Sequence, residues 1–218
     1  MYKLIISILT LMTFFSFEQQ SEKEEFICQD FKFRSYQEQA DSLVAFMNRA
    51  QKSSSNVKQD LEKKFFCAFP NSFEEMKEVF GYDDVKGEAP LYNYPIGENM
   101  IGFFSKLESI PDSIYFDKYI RININGTWEA DNIREAFGFG SKLYFESEKA
   151  CKFLSYFSDK EIESVFKFIF DGPHPKNEYN EGLYEEIKPK IERQNTKLGQ
   201  LFTKVYMKLM EEDDGHGH

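Results

Sequence analysis

Ser158-Asp159-Lys160-Glu161-Ile162-Glu163-Ser164-Val165-Phe166-Lys167-Phe168-Ile169-Phe170-Asp171-Gly172-Pro173 is one helix written out with both of its ends. Ser158 and Glu161 form a capping box: the hydroxyl accepts an amide three residues on, and the carboxylate reaches back to the serine amide. Ile162, Val165, Phe166 and Ile169 fall at i, i+3, i+4 and i+7, one face of a 3.6-residue repeat. Asp171-Gly172-Pro173 stops it, because proline has no amide to donate and forces its predecessor out of the α region.

The same grammar recurs in both directions along the chain. Ser72 with Glu75 opens a second capped helix, with Phe73, Met76, Val79 and Phe80 on one face and Gly81 at its end. Tyr36, Ala40, Leu43, Val44 and Met47 share a helical face, broken at Ser53-Ser54-Ser55-Asn56 with Asn56 as the expected N-cap. Val57, Leu61, Phe65 and Ala68 continue as a helix that ends before Pro70. A helix from Gly97 to Ser109, with Met100, Ile101, Phe104 and Leu107 inward, is closed by Pro111. Thr127 caps a helix through Phe137, ended by the Gly138-Phe139-Gly140 turn, and Ser147 to Phe157 forms another. The last helix runs from Glu181 to Met210 with a kink at Pro189.

Ser113 to Asn125 reads two ways. Ile120, Ile122 and Ile124 alternate with polar residues before Asn125-Gly126, a hairpin signal. A helix starting near Asp112 accounts for Tyr115, Phe116, Tyr119 and Ile120 as well, and no partner strand stands out elsewhere. The helical reading is preferred. The fold class is therefore all-α, an irregular bundle or array of about eight or nine helices. The alternative adds a short β-hairpin near residues 119–128. A single helical domain is expected over 35–210, and Tyr82 to Pro95 reads as a loop rich in Asp, Gly and Pro.

Composition agrees with a packed domain. Of 218 residues, 41% are hydrophobic and 24 are Phe, so phenylalanine takes the core-filling part that leucine and valine play elsewhere. The formal charge is -10. That excess repels phosphate backbones and anionic lipid surfaces, and attracts basic proteins. A nucleic-acid partner is accordingly not expected, and a protein partner, preferably basic, is.

Residues 1–17 read as a signal peptide: Lys3 supplies the positive start, and Leu4 to Phe17 is an apolar run too short to span a bilayer. A polar segment follows over 18–34, so the mature chain is expected in the periplasm or outside the cell, with no integral membrane span. Cys28 lies too far from the apolar run for a lipid anchor. Export permits one disulfide among Cys28, Cys67 and Cys151; Cys28–Cys67, which would tie the N-terminal segment to the second helix, is preferred, and three reduced, buried thiols are the alternative. Residues 211–218 are expected to form a disordered acidic and histidine-bearing tail.

Chemistry-bearing motifs are sparse. The chain has no Walker loop, dinucleotide fingerprint, H-E-x-x-H or paired C-x-x-C, so no cofactor or metal is expected. Asp171-Gly172-Pro173-His174-Pro175 places an acid and an imidazole at an interhelical turn, an arrangement that could transfer protons. It reads equally as a rigid helix stop. Asn125-Gly126-Thr127-Trp128-Glu129-Ala130-Asp131 holds the single tryptophan beside two carboxylates, and also contains a glycosylation sequon. Trp128 there is a sugar platform, an interface anchor or a wedge between helices.

These features favour an exported cell-envelope binding protein that acts by occlusion, of the immunity type that neutralises a secreted toxin. Asp83 and Asp84, with Tyr92, Tyr94 and Trp128, are its expected contact residues. The alternative is an envelope glycan or peptidoglycan hydrolase, with Glu129 and Asp131 as acid and base and the Asp171–His174 pair as a second candidate. A structural or accessory envelope role is the third.

Overall fold

The structure, a computed structural model, describes residues 26–92, 97–128, 133 and 138–212. Among these residues the chain forms ten helices and one two-stranded ribbon. In chain order they are α1 (Tyr36–Ala50), α2 (Ser55–Ala68), α3 (Phe73–Phe80), β1 (Tyr82–Asp83), β2 (Gly87–Glu88), α4 (Gly97–Phe104) and α5 (Asp112–Asn123). There follow α6 (Gly140–Phe145), α7 (Ser147–Leu154), α8 (Asp159–Phe170), α9 (Glu178–Gln194) and α10 (Thr196–Glu212). The fold is mainly helical, as the periodicity predicts.

Local chemistry explains most of the boundaries. The capping box at α8 is complete, with Ser158 accepting from the Glu161 amide and Glu161 accepting from the Ser158 amide. At α3 Ser72 caps in the same way, but the Glu75 carboxylate goes instead to the amide of Asn71, at 2.7 Å. Ser35 caps α1 and Asn177 caps α9, each accepting an amide three residues on. Helix α2 begins two residues earlier than expected, with Ser54 rather than Asn56 in the N-cap position.

Helix α5 occupies the centre. It packs on α3, on α7 and on α8, so a single hydrophobic cluster runs from Ala40 to Leu209. Tyr115, Phe116, Lys118, Tyr119, Ile120, Ile122 and Asn123 are all buried, which is most of its circumference. The core is aromatic. Ten of the eleven largest fully buried side chains are phenylalanines, and Phe104 stacks on Phe66 at 5.6 Å, Phe69 at 4.2 Å and Tyr115 at 5.5 Å. Each such pair is worth about 0.5–1.5 kcal/mol beyond the area it buries.

Polar groups inside this core are spent on helix ends. Lys118 reaches from α5 to the C-terminus of α2, donating to the carbonyls of Phe66 and Phe69 at 2.6 and 2.7 Å. Gln39 of α1 donates to Ala68 O at 2.9 Å. Carbonyls at the end of α2, where an α-helix runs out of i+4 amides, thereby gain side-chain donors. The Cys28–Cys67 disulfide, with Cα atoms 5.3 Å apart, pins residues 26–34 to the same end of α2. Phe26 meets Phe66 and Phe31 meets Phe46 along that segment. Cys151 is free and buried, and burial pushes its thiol up to about 11.

Several expected details differ. The preferred helical reading of Ser113 to Asn125 holds, but the alternative hairpin at 119–128 does not form: α5 continues to Asn123, Ile124 closes it, and Asn125 takes the left-handed conformation at φ 60°. The ribbon lies instead within the expected loop, where Tyr82 pairs with Glu88 and Asp83 with Gly87. The long C-terminal helix breaks at Asn195 rather than kinking at Pro189. Asn195 is extended, and its side chain accepts from the Leu198 amide at 3.1 Å, starting α10 as a new helix. The two helices close on each other beside that break: a Cβ on Gly199 would lie 2.5 Å from Glu192 Cγ. Helices α4 and α7 stop at Phe104 and Leu154, short of the expected ends, and α10 extends through Glu212. Of the helix expected over 127–137, Thr127 and Trp128 are described and not helical, Ile133 is helical and buried, and the rest lies outside the described residues, as does the tail beyond Glu212. The expected leader also lies outside them. Among the described residues no helix is long and apolar enough to cross a membrane.

Candidate binding surfaces

The two strings singled out by their chemistry meet in space. The Trp128 amide donates to Asp171 Oδ2 at 2.9 Å, so the end of α8 clasps the chain leaving α5. The Asn125 amide donates to Ser164 Oγ of α8 at 2.8 Å, and Gly126 lies against the buried Phe168 ring. Behind them Asn123, fully buried, donates to Tyr119 O and accepts from the Phe139 amide, fixing both ends of residues 124–138. Trp128 itself is half-buried.

This clasp explains Asp171 as an architectural group. Its carboxylate is buried and holds a main-chain amide. His174 stands exposed, and its carbonyl accepts from Asn177 Nδ2 at 2.7 Å, within a connector organised by the α9 N-cap. Glu129 and Asp131 lie outside the described residues, as does Tyr94.

The ribbon between α3 and α4 is the second surface. Asp83 Oδ1 accepts the amides of Val85 and Lys86 at 2.9 and 2.8 Å, a side-chain turn that fixes the tip. Those bonds, the Lys86 amide first, lower its pKa below the usual carboxylate value. Gly87 completes the turn with φ 83°, a conformation glycine adopts without a Cβ penalty. Lys86 pairs with Glu78 of α3, anchoring the ribbon to its parent helix. At the tip Val85 is 95% exposed, and Tyr82 and Tyr92, also exposed, touch at 5.6 Å. Asp84 and Glu88 are exposed beside them. Asp83 is therefore the turn-former, and Asp84 is the acid that faces solvent.

A third feature is a cleft of about 590 Å³ between α6 and α9. Gly138, Gly140, Tyr144 and Phe145 line one side, Tyr179, Leu183 and Glu186 the other, with Ile169 of α8 also in the lining. Sequence reasoning missed it. Helix α6 has only six residues, too few to show a period, and Tyr179 precedes the start expected for the last helix. The usable signal was the i, i+4, i+7 spacing of Tyr179, Leu183 and Glu186, which places them on one helical face.

Lys142 shows how α6 is fixed to the core. Its buried ammonium pairs with Glu146 at 2.6 Å and lies 5.0 Å from the Tyr115 ring centroid and 5.5 Å from that of Tyr119. Burial pushes both of those phenols well above their ordinary range. Among the described residues no cluster of His, Cys, Asp and Glu is arranged to hold a metal ion. No protein-family model, curated protein or solved structure matches the chain, so function is argued from its own surfaces.

Proposed function

We propose that this chain is an exported binding protein that occludes a basic protein partner, in the manner of an immunity protein that neutralises a secreted toxin. The observation that carries the reading is the ribbon: Val85 at its tip is almost fully exposed, Tyr82 at its base and Tyr92 beyond it are exposed and in contact, and Asp84 and Glu88 face solvent. Exposed aromatic and apolar groups on a backbone fixed by internal hydrogen bonds lose little entropy on docking, which favours binding. The surrounding carboxylates and the net charge of -10 steer a basic partner and speed encounter. The Cys28–Cys67 bridge supports an oxidising compartment, because such bonds are rare where glutathione keeps thiols reduced.

The test is affinity capture from the native organism at low and moderate salt, followed by titration of the captured protein against variants. Asp84→Lys combined with Val85→Asp leaves the Asp83 turn intact and is expected to weaken binding at least tenfold. Unchanged affinity would remove the ribbon from the interface, and reproducible absence of any stoichiometric partner would contradict the occlusion reading.

A further inference from the structure

We propose that the cleft between α6 and α9 is a peptide-docking site that takes an apolar side chain carried on a lysine- or arginine-rich segment of a protein partner. The proposal rests on the reading of the chain as a binding protein and adds a second contact with its own specificity.

Three observations converge on it. First, the volume of about 590 Å³ lies within the range of ligand-sized pockets. Second, its walls expose aromatic surface that the core does not use. Phe145 is 79% exposed and Tyr179 is 75% exposed, and Phe145 is the one exposed phenylalanine among the described residues of a Phe-rich chain. Gly182 meets no atom within 4 Å of where its Cβ would stand, so nothing narrows the α9 wall there. Third, the α9 wall is acidic: Glu186 lines the cleft, while Glu181 and Glu185 turn toward Tyr206 of α10 and add negative charge only at longer range. Residues 178–186 carry Glu178, Glu181, Glu185 and Glu186 with no lysine or arginine among them. All four are exposed, and none is in an ion pair with another described residue.

The contrast with neighbouring charges is informative. Along α8 and α10 acids are neutralised across helices, as in Lys197–Asp159 and Lys204–Glu163. Lys190 of α9 is held against the Tyr144 ring at 3.9 Å and donates to the Tyr144 carbonyl at 3.1 Å. An apolar slot with the unpaired Glu186 in its wall, on an acidic stretch of helix, rewards an apolar anchor flanked by bases and rejects an acidic segment.

The probe is a synthetic hexapeptide with a central Leu-Phe pair and two lysines on each side, titrated into the isotope-labelled full chain and followed by amide NMR. Shifts are expected at Ser141, Tyr144, Phe145, Tyr179, Leu183 and Glu186. Phe145→Ser and Glu186→Lys, both solvent-facing, should each weaken binding at least tenfold with the melting temperature unchanged. Asp84→Lys should have no effect. A peptide with glutamates replacing its lysines should not bind. No shifts at millimolar peptide, or equal binding to both cleft variants, would overturn the proposal; the second result would mean general adhesion to an acidic surface. Its failure is separable from failure of the occlusion reading. If the peptide does not bind but a captured partner still depends on Asp84 and Val85, only the cleft is lost. If the peptide binds and no partner is captured, the cleft stands and the occlusion reading falls.

Discussion

Replacing Lys118 by methionine tests how the polar interior is built. Burial, only partly opposed by the charge of Glu75, pulls the folded-state pKa of Lys118 down to about 7. In the unfolded chain it returns to about 10.4. Between those values the unfolded state holds the extra proton, so stability rises with pH, and the full penalty is present below pH 7. Each pH unit contributes up to about 1.4 kcal/mol, giving a gain on the order of 2 kcal/mol between pH 7 and 9. Deprotonation costs neither hydrogen bond: a neutral amine keeps two N–H groups, one for Phe66 O and one for Phe69 O. The window closes near pH 9. Above it the folded chain retains protons on Cys151, Tyr115 and Tyr119 that the unfolded chain releases, which lowers stability. Urea denaturation with the disulfide intact, at pH 6, 7, 8 and 9, reads the effect directly. Between pH 7 and 9 the wild-type curve should gain about 2 kcal/mol on that of Lys118→Met, the Cys151 contribution being common to both. Equal slopes for the two proteins would refute the reasoning, whatever the offset between them.

Three further perturbations address other parts of the fold. Gly126→Ala puts a methyl group 2.4 Å from the Phe168 ring and should cost about 1–3 kcal/mol in a thermal melt, whereas a neutral result would mean the contact is loose. Asp171→Ala leaves the Trp128 amide without its acceptor, so a loss of about 1–3 kcal/mol is expected. The fluorescence of the single tryptophan should shift to the red with it; unchanged emission would mean the clasp does not hold Trp128. Cys28→Ser opens the link between residues 26–34 and α2 and should cost about 2–4 kcal/mol, measured by denaturation beside the reduced wild type.

The fold was legible wherever a helix has a wet face and a chemical signal at its end. Ser72 and Ser158 both cap where their spacing predicts, and Gly81 and Asp171 stop α3 and α8. Helix α5 was ambiguous for a physical reason. Ile120 and Ile122 are about 200° apart on a helix, yet both are buried because α5 is enclosed on most sides. A helix without a polar face imitates the alternation of a strand. Pro189 misled in the other direction: it sits exposed inside α9 without ending it, whereas Asn195, which both ends α9 and caps α10, carries a weaker signal. The ribbon at 82–88 has strands of two residues, too short for any period, and only its Asp and Gly content marked a turn.

The candidate surfaces were less legible than the fold. Asp84 and Tyr92 lie where an acidic, aromatic loop was expected, but Asp83 turned out to be committed to the turn. The Trp128 and Asp171 strings come together through a main-chain hydrogen bond, which side-chain chemistry does not announce. Phe145 and Tyr179 meet across a cleft made by helices more than thirty residues apart in the chain, a juxtaposition that no local pattern contains.

The central claim is that the ribbon tip occludes a partner. Amide hydrogen exchange of the chain, alone and in complex with the captured protein, tests it most directly. Protection is predicted over residues 82–92, strongest at Val85 and Lys86 at the tip. A complex that leaves those amides exchanging as in the free chain would contradict the account.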